Sequence, residues 1–425
     1  MTLAVLGLGA AGIGAGIAAS GTGESPVLVE TEGRPGGLMQ TDEVDGFRFD
    51  RTGHFLHFRG GMLSNRLRTA GVPLDRIERK SAVVLGRRLV PYPIQYNLWA
   101  VGSADLAAAS LSDLDGVRPA ESGAGSLGEL LASTWGRTLF ELFFRPYNQK
   151  LWGRPLDTLP PDCVGRYLPT VDRELVAEGM TCPTGYAGYN ATFYYPASGR
   201  LADAPERLAE PLERFARYGC PAVSVDLAER TLETSLGESV PYDTLIATLP
   251  LPDLLRLAGE SPEPELFAAT ALCNVRVGLR GSMRVPHHWV YVPDERLPFH
   301  RISFPGNVNP RACPRGCTSL SVEYTPPSNG DPVPGHVLVS QALEFVLELG
   351  LVEAHEVLTV TERLIAPAYV VHRAAGRPEH AALRERLAGY GVRLAGRFGS
   401  WDYLSMEESF VSGWEAAGVP AVLHA

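Results

Sequence analysis

The sequence lacks the features that mark membrane proteins, disulfide-stabilised secreted proteins and nucleic-acid-binding proteins. No uninterrupted apolar run in its 425 residues reaches the roughly 18 residues that a membrane-spanning helix needs. Its six cysteines are too few for a disulfide framework, so we expect a reduced, cytoplasmic protein without a membrane partner. The 48 acidic side chains outnumber the 38 basic ones, and the resulting charge of −10 argues against nucleic acid as a partner.

Length and overall composition are those of an ordinary globular chain. At about 150 residues per domain, 425 residues predict two or three domains. Hydrophobic residues at 45% supply ample material for a core. The apolar N-terminus lacks the basic start of a signal peptide, so we interpret it as the first element of the fold. Cys313 and Cys317 could approach each other, but no second pair has metal-ligand spacing, and we predict no metal site.

The first thirty residues carry the pattern of a dinucleotide-binding unit. An apolar strand that starts at Leu3 leads into Gly7-x-Gly9-x-x-Gly12 and a helix of small residues, and a second apolar strand ends at Glu30. The first two glycines permit a tight turn with close backbone approach, and the third lets the helix pack on the strand. Helix N–H groups can then face a pyrophosphate, and the carboxylate further along can accept hydrogen bonds from both ribose hydroxyls.

A second glycine turn indicates that the nucleotide is FAD rather than NAD. Arg34-Pro-Gly36-Gly37 follows the acidic residue closely, and Gly53-His54 comes soon after. A nicotinamide-binding domain would continue directly into another helix and strand. Glycines just beyond the ribose-binding acid instead suit a longer cofactor, whose flavin extends past the first unit.

The remaining patterns predict an α/β protein with a discontinuous cofactor domain. Helical patches lie at 100–185, strand patterns at 219–250, alternating residues typical of antiparallel strands at 272–325, and a closing helix at 407–417. We predict an FAD-binding domain built from 1–95, 200–262 and 385–425, a mainly helical insert at 96–199, and an antiparallel-sheet substrate domain at 263–384.

Motifs in one order along nearly the whole chain resemble a flavoprotein group that contains amine oxidases, protoporphyrinogen oxidase and UDP-galactopyranose mutase. The shared set comprises both glycine turns, Glu30, Gly53-His54 and Gly396-Arg397-Phe-Gly399-Ser-Trp401. More specific stretches are similar to the mutase, especially to its eukaryotic-type branch. These are Val90-Pro-Tyr92-Pro-Ile-Gln95, Arg145-Pro-Tyr147-Asn148-x-Lys150-Leu-Trp152, Asn190-Ala-Thr-Phe193, and Trp289-x-Tyr291 with Pro298-Phe-x-Arg301.

The resemblance implies a fold and a reaction. The fold is a Rossmann-like FAD-binding domain with an inserted helical domain and an antiparallel β-sheet substrate domain. The enzyme would be an isomerase that interconverts the pyranose and furanose forms of a nucleotide-diphosphate sugar, with N5 of reduced FAD as nucleophile and NADPH or NADH as reductant. Arginines and phenols would hold the departing diphosphate, which is charge stabilisation rather than general-base catalysis.

The resemblance also implies roles for individual residues. Catalysis is assigned to Arg166 and Arg301, as diphosphate ligands, and to His54 on a loop beside the flavin. Substrate binding is assigned to Tyr92, Ile94 and Gln95 at the nucleobase, to Asn190, Tyr291, Tyr369 and Tyr403 at the phosphates, and to Trp289. FAD binding is assigned to Gly7, Gly9, Ala10, Ala11, Gly12, Glu30, Arg34, Gly36, Gly37, Leu38, Gly53, His54, Val223, Gly396 and Arg397, and NADPH binding to Arg79, Ser81 and Arg397.

Other interpretations stay open at this point. Taken singly, Arg166 and Arg301 fit ion-paired surface residues, and Tyr291 fits a core tyrosine. The same scaffold hosts FAD-dependent oxidoreductases of the amine oxidase or protoporphyrinogen oxidase type, and a nucleotide-sugar-binding protein without turnover is a third possibility. The chain departs from the mutase pattern at Thr52, where glycine is usual, and in a shortened stretch at 402–409. The sugar, the nucleobase and the number of subunits are left open.

Overall fold

The computed structural model describes residues 2–53, 55–115, 124–163, 171–184, 191–328, 330–371 and 377–421. Its strands are β1 (Leu3–Leu6), β2 (Val27–Val29), β3 (Thr41–Val44), β4 (Phe47–Asp50), β5 (Leu74–Glu78), β6 (Ser81–Leu85), β7 (Arg88–Pro91), β8 (Thr192–Pro196), β9 (Ala216–Arg217), β10 (Ala222–Asp226), β11 (Thr231–Thr234), β12 (Ser239–Pro241), β13 (Thr244–Ala247), β14 (Leu272–Met283), β15 (Trp289–Tyr291), β16 (Arg301–Ser303), β17 (Cys317–Tyr324), β18 (Val352–Ile365) and β19 (Val392–Leu394). Its helices are α1 (Ala10–Gly21), α2 (Met62–Thr69), α3 (Ala104–Leu114), α4 (Leu127–Leu139), α5 (Arg145–Trp152), α6 (Arg173–Glu178), α7 (Asp203–Ala209), α8 (Leu251–Leu257), α9 (Pro305–Val308), α10 (Gly335–Glu348), α11 (Arg377–Gly389), α12 (Gly396–Gly399) and α13 (Met406–Ala416).

A parallel sheet with the strand order β19-β13-β1-β2-β9 carries the predicted dinucleotide-binding unit. All four residues of β1 are buried, as expected for a central parallel strand that reads as a continuous apolar run. The strands around it come from widely separated parts of the chain: β13 pairs with β1 on one side and β2 on the other, and β19 and β9 extend the sheet beyond them. The carboxyl ends of these strands meet at one edge, which is where ligands of such sheets bind.

A mixed sheet with the order β18-β14-β17-β16-β15-β6-β7 forms the second layer. The strands from 272 to 365 pair in antiparallel fashion, which agrees with the alternation in the sequence. β6 joins β15 in parallel, so residues 81–91, which the sequence analysis groups with the FAD-binding stretches, complete this sheet. Buried residues of β14 and β17 pack against α10 on one side of the sheet.

A helical layer covers the β6–β7 end of this sheet. α3, α4, α5 and α6 share a core with Val83 and Val90 of the sheet, in which Trp135 is fully buried. Side chains cap three of these helices: Ser103 for α3, Ser126 for α4 and Asp172 for α6. A π-helical segment at 140–144 connects α4 to α5 and sets the direction in which α5 enters the centre of the molecule.

The predicted fold class is confirmed: a Rossmann-like α/β unit, a helical region and a largely antiparallel sheet are all present. The division of the chain into domains stays a prediction. Among the described residues, we find no helix whose length and apolar character would let it cross a bilayer.

Candidate functional site

The first glycine turn lies at the carboxyl edge of the parallel sheet, between β1 and α1. Gly7 has a φ of 94°, which favours glycine, and a Cβ on Gly12 would overlap the carbonyl of Gly7. α1 begins after Gly9 without a side-chain cap, so the N–H groups of Ala10 and Ala11 are available to an anion. Among the described residues, no atom lies within 4 Å of the Cβ position of Gly9, which leaves open space at this helix end.

Glu30 follows β2 at the same edge, and only 7% of the residue is exposed. Its Oε2 accepts a hydrogen bond from the N–H of Leu8 at 2.6 Å, and its Oε1 accepts from the N–H of Glu32 at 2.8 Å. Burial raises the pKa of Glu30 above its usual value, and these two N–H groups oppose the shift. Each carboxylate oxygen has a second lone pair, so this fixed group can still accept from ribose hydroxyls.

The second glycine turn folds back onto the first. Gly36 and Gly37 have φ values of 118° and 56°, and the N–H of Gly36 donates to the carbonyl of Leu8 at 2.8 Å. A Cβ on Gly37 would lie 3.4 Å from Cα of Gly9, so the two turns face each other closely. A side chain on Gly37 would fill the space between the turns, whereas a Cβ on Gly36 would lie 2.8 Å from Cγ of Pro205.

The other predicted FAD residues lie at several places around this edge. Arg34 donates to a main-chain carbonyl of β3 at 3.0 Å, and Leu38 packs against buried residues at the adjoining ends of β14 and β18. Gly396 has a φ of 77°, and a Cβ there would lie 2.7 Å from Cβ of Ala11 on the first turn of α1. Val223 is 55% exposed on β10. The cofactor roles of these residues stay predictions.

An ion pair between neighbouring strands of the second sheet forms the polar centre of the candidate site. Arg301 donates from Nε to Oε2 of Glu323 at 2.9 Å and from Nη2 to Oε1 at 2.6 Å, and Glu323 is completely buried. Burial opposes a charged guanidinium, but the Glu323 carboxylate raises the pKa of Arg301 above its usual value. The N–H of Gly53 also donates to Oε1 at 3.2 Å, so Glu323 connects Arg301 to the loop predicted to lie beside the flavin.

Phenol rings cluster next to this ion pair. Tyr291 lies opposite Arg301 in the register of β15 and β16, and its ring centroid is 4.8 Å from Tyr92 and 5.3 Å from Tyr147. Burial raises the pKa of Tyr147 well above its usual value. Its hydroxyl therefore keeps its proton at neutral pH and can donate a hydrogen bond.

A second aromatic group adjoins the first. The rings of Tyr369 and Tyr403 lie 5.8 Å apart, and the guanidinium of Arg397 lies 5.9 Å and 4.9 Å from their respective centroids. Nε of Arg397 donates to the carbonyl of Leu404 at 2.8 Å, and this hydrogen bond holds the guanidinium near the rings of Tyr369 and Tyr403. Burial raises the pKa of Tyr369 while the positive charge of Arg301 opposes the shift, so the two aromatic groups share one electrostatic environment.

The predicted nucleobase and NADPH residues border the first aromatic group. Ile94 and Gln95 are buried, and Oε1 of Gln95 has no hydrogen-bond partner among the described residues. Arg79 places its guanidinium 5.0 Å from the ring centroid of Tyr92. Ser81 begins β6, and its buried hydroxyl likewise finds no hydrogen-bond partner in the described part of the chain. Buried polar atoms of this kind are rare, and a bound ligand would satisfy them.

Of the remaining predicted residues, one is described and three are not. Trp289 is 5% exposed, and its ring stacks on Phe55 with centroids 5.1 Å apart. His54, Arg166 and Asn190 lie outside the described residues, and their roles stay predictions.

Some residues of the site were not assigned a role from the sequence. Glu323 holds Arg301, Tyr147 contacts Tyr291, and the ring of Trp152 lies 6.0 Å from Tyr369. Glu323 could have been found from the alternation in β17, where it occupies the same face as two serines while apolar residues occupy the other. Tyr147 and Trp152 belong to the motif that begins at Arg145, but their spacing on α5 does not indicate which residues they contact.

Several solved structures are similar to this chain, although no protein-family model matches it. A reduced UDP-galactopyranose mutase has a similar structure, with a TM-score of 0.89 and 25% identity over 98% of this chain and 94% of that one. A protein from Exiguobacterium sp. 255-15 assigned as a protoporphyrinogen oxidase matches with a TM-score of 0.71 and 20% identity over 98% of both chains. A double mutant of putrescine oxidase matches with a TM-score of 0.66 and 12% identity over 98% of both chains.

The fold is the one shared by a reduced UDP-galactopyranose mutase, a protein assigned as a protoporphyrinogen oxidase and putrescine oxidase. Within this group the chain resembles UDP-galactopyranose mutase, so the resemblance drawn from the sequence motifs is confirmed. Its assignment to the eukaryotic-type branch stays a prediction.

Proposed function

We propose that this protein is an FAD-dependent isomerase that interconverts the pyranose and furanose forms of a nucleotide-diphosphate sugar. The observation that carries the proposal is the grouping of Arg301 and Arg397 with the phenols of Tyr291, Tyr369 and Tyr403. The likeness to UDP-galactopyranose mutase over nearly the full length supports it. Beside the Arg301–Glu323 ion pair, the cation of Arg397 and several hydroxyl donors in one half-buried region match a diphosphate better than a cationic substrate.

The residues at the carboxyl edge of the parallel sheet fit FAD. The uncapped first turn of α1 suits its pyrophosphate, and Glu30 suits the adenosine ribose. Leu38, directly after the second glycine turn, packs in the same small cluster as Tyr369. Because both residues pack against this one cluster, a cofactor that extends past the second turn would approach the phenols.

Reduced FAD would supply a nucleophilic N5 for the anomeric carbon of the sugar. The side chains of the chain hold the diphosphate as it leaves. Glu323 occupies Nε and Nη2 of Arg301, which leaves Nη1 of that guanidinium for a phosphate oxygen. Tyr147 and Tyr369 have raised pKa values through burial, so their hydroxyls donate hydrogen bonds to phosphate oxygens and do not act as bases. Donors fixed in advance stabilise developing negative charge without reorganisation.

The experiment that tests this function uses the purified protein under anaerobic conditions. Its absorption spectrum is recorded before and after dithionite, UDP-galactose or UDP-galactofuranose is added, and the products are separated by chromatography. We expect a yellow protein that interconverts the two sugars after reduction and is inactive before it. Bleaching of the flavin by an amine, porphyrinogen or alkene substrate without sugar conversion would favour an oxidoreductase. Bound FAD without any turnover would favour a binding protein.

Replacement of Arg301 tests the diphosphate site directly. We expect Arg301→Ala to lower turnover by roughly two to three orders of magnitude, because one key charge-stabilising contact is lost. The matched control is Arg296→Ala, since Arg296 precedes the same strand but its side chain is 87% exposed and pairs with Asp294 at the surface. Chromatographic rates and unfolding curves are measured for both variants. Equal rates for Arg301→Ala and the unmodified protein would overturn the proposed function.

A further inference from the structure

Lys150 is one of two lysines in a chain with 38 basic residues; the other is Lys80. Lys80 is exposed, whereas the ammonium of Lys150 lies inside the molecule on α5. Nζ of Lys150 donates to the carbonyl of Asp294 at 2.8 Å and to the carbonyl of Leu297 at 3.0 Å. Both hydrogen bonds go to the main chain of one loop.

This loop connects the two strands that carry the proposed diphosphate ligands. β15 ends at Tyr291 and β16 begins at Arg301, and these two residues are paired in the register of the strands. The N–H of Val292 donates to the carbonyl of His300 at 2.9 Å, so the segment forms a closed hairpin. The N–H of Leu297 donates back to the carbonyl of Asp294 at 3.2 Å. Lys150 thus binds both ends of the turn in this hairpin.

α5 supports the same hairpin at two further points. Tyr147, one turn before Lys150, contacts the ring of Tyr291 and lies 6.1 Å from the ring of His300. At the surface, Arg145 pairs with the carboxylate of Glu295 at 3.3 Å. The inner contacts are half-buried, whereas the Arg145 pair is solvent-exposed and is expected to contribute little.

Among the residues that the structure describes, no carboxylate pairs directly with the ammonium of Lys150. Asp294 pairs with Arg296, and Glu295 pairs with Arg145. Burial lowers the pKa of Lys150 to about 7, while the negative charges of Asp294 and Glu295 oppose the shift. His300 faces the same space from the hairpin, and burial holds its pKa well below its usual value, so it stays neutral.

We propose that Lys150 is a positioning residue that holds the hairpin of residues 291–301 closed, so that Tyr291 and Arg301 present their hydroxyl and guanidinium to one diphosphate. The inference rests on the proposed function, since it concerns the same diphosphate site. A charged ammonium makes stronger hydrogen bonds to carbonyls than a neutral amine does. Loss of the Lys150 proton above neutral pH therefore weakens the hold on the hairpin without removing its donors.

Nuclear magnetic resonance of protein labelled with ¹⁵N at lysine Nζ tests the titration directly, because two lysines give two side-chain signals. We expect one signal to titrate near pH 7 and to disappear in Lys150→Met. A Lys150 signal that titrates near pH 10 would overturn the pH dependence. The titration is recorded on the unmodified holoprotein, and Lys80→Met assigns the two signals if Lys150→Met folds poorly.

Hydrogen exchange of the amides of 292–300 tests the hold on the hairpin. We expect exchange in Lys150→Met to be roughly tenfold faster or more, because two half-buried hydrogen bonds of the ammonium are lost. The matched control is Arg145→Met, which removes the exposed contact from the same helix to the same loop and should leave exchange nearly unchanged. Unchanged exchange in Lys150→Met would overturn the proposal.

Binding of UDP-galactose to the oxidised holoprotein at pH 6 and pH 8.5 connects the hairpin to the ligand. This diphosphate diester keeps its charge over the range, so a change in Kd reports on the protein. We expect binding by the unmodified protein to weaken several-fold at the higher pH, and Lys150→Met to bind at least tenfold more weakly at pH 6 with little pH dependence. Equal affinities would overturn the positioning role and leave the proposed function intact. Absence of binding by the unmodified protein would overturn UDP-galactose as the ligand of this site, and the exchange rates alone would then show whether Lys150 holds the hairpin.

Discussion

At the residue scale, single contacts decide which atoms of the site remain available to a ligand. Without Glu323, the largely buried guanidinium of Arg301 would lose its charge partner. The carboxylate takes two of the guanidinium nitrogens and also accepts from the N–H of Gly53. A buried carboxylate with one partner removed is costly, so the three groups are expected to respond together to substitution.

Gly53→Ala tests this connection. A Cβ at position 53 would lie 2.8 Å from both Nη2 of Arg301 and Oε1 of Glu323, so one of these groups must move. We expect turnover of the reduced protein to fall at least tenfold. Gly389→Ala is the control, because among the described residues no atom lies within 4 Å of that Cβ position. Full activity of Gly53→Ala would show that the ion pair need not keep this geometry.

Asp50 makes the stability of the folded protein depend on pH. Its carboxylate accepts from Thr41 at 2.6 Å and from Tyr195 at 2.6 Å, and burial raises its pKa from 3.8 to about 6. Between these pH values the folded protein binds a proton that the unfolded chain has released, so the free energy of unfolding falls as pH rises from about 4 to about 6. Partial solvent access limits the Asp50 contribution to about 2 kcal/mol.

Asp50→Asn checks this prediction by urea unfolding between pH 4 and pH 8. The amide keeps the size of the side chain and removes its titration, so the variant should lose the decrease between pH 4 and pH 6. A variant with the same pH profile as the unmodified protein would assign the decrease to other groups.

At the element scale, the position of α1 depends on a helix far away in sequence. α13 crosses α1 so closely that a Cβ on Gly413 would overlap the main chain at Ala11, and a Cβ on Gly14 would overlap the main chain at Phe410. The crossing therefore fixes the first turn of α1, which is the proposed pyrophosphate site. The capping box formed by Ser405 and Glu408 holds the start of α13 in turn.

Gly413→Ala should therefore affect both stability and cofactor affinity. We expect a loss of about 1–3 kcal/mol in the free energy of unfolding, since extra atoms in a tight contact force the backbone to shift. FAD affinity, measured by fluorescence titration, should fall as well. Gly21→Ala, at the far end of α1, is the control, because its Cβ position has no neighbour within 4 Å among the described residues. Unchanged FAD affinity would show that the contact between α1 and α13 does not position the cofactor site.

Local sequence patterns predicted single strands and turns, but not which strands pair with each other. The alternation of β14 to β17 and the glycine turn before α1 were predicted correctly, because both follow from local rules for side-chain direction and φ. The position of residues 81–91 in the second sheet was not predicted. A short apolar strand has no local feature that specifies its partner, which depends on which edge is left exposed when the chain collapses.

At the scale of the whole molecule, the proposed cofactor site joins segments from both ends of the chain. Strands at 3–6, 27–29, 244–247 and 392–394 form one parallel sheet. A ligand bound at the edge of that sheet stabilises the whole folded chain, because the unfolded chain has no such site.

FAD should consequently raise the melting temperature of protein prepared without it. At about 1,000 times the Kd, the added stability is about 4 kcal/mol, and the shift should grow with FAD concentration. Riboflavin lacks the pyrophosphate and adenosine that α1 and Glu30 are proposed to bind, so it should cause a much smaller shift. Equal shifts from the two compounds would argue against the glycine turns as the binding element.

The sequence by itself determined the glycine turns, the acidic residue after β2 and the resemblance to the flavoprotein group, because each depends on residues close together in the chain. Only the tertiary structure decided that Glu323 reaches Gly53 across 270 positions and that Lys150 reaches the hairpin across 144. Local patterns fix φ and the side of a strand on which a side chain lies. The partner of a buried charge is decided by desolvation, which acts only once the folded chain has excluded water and left that charge the groups that surround it.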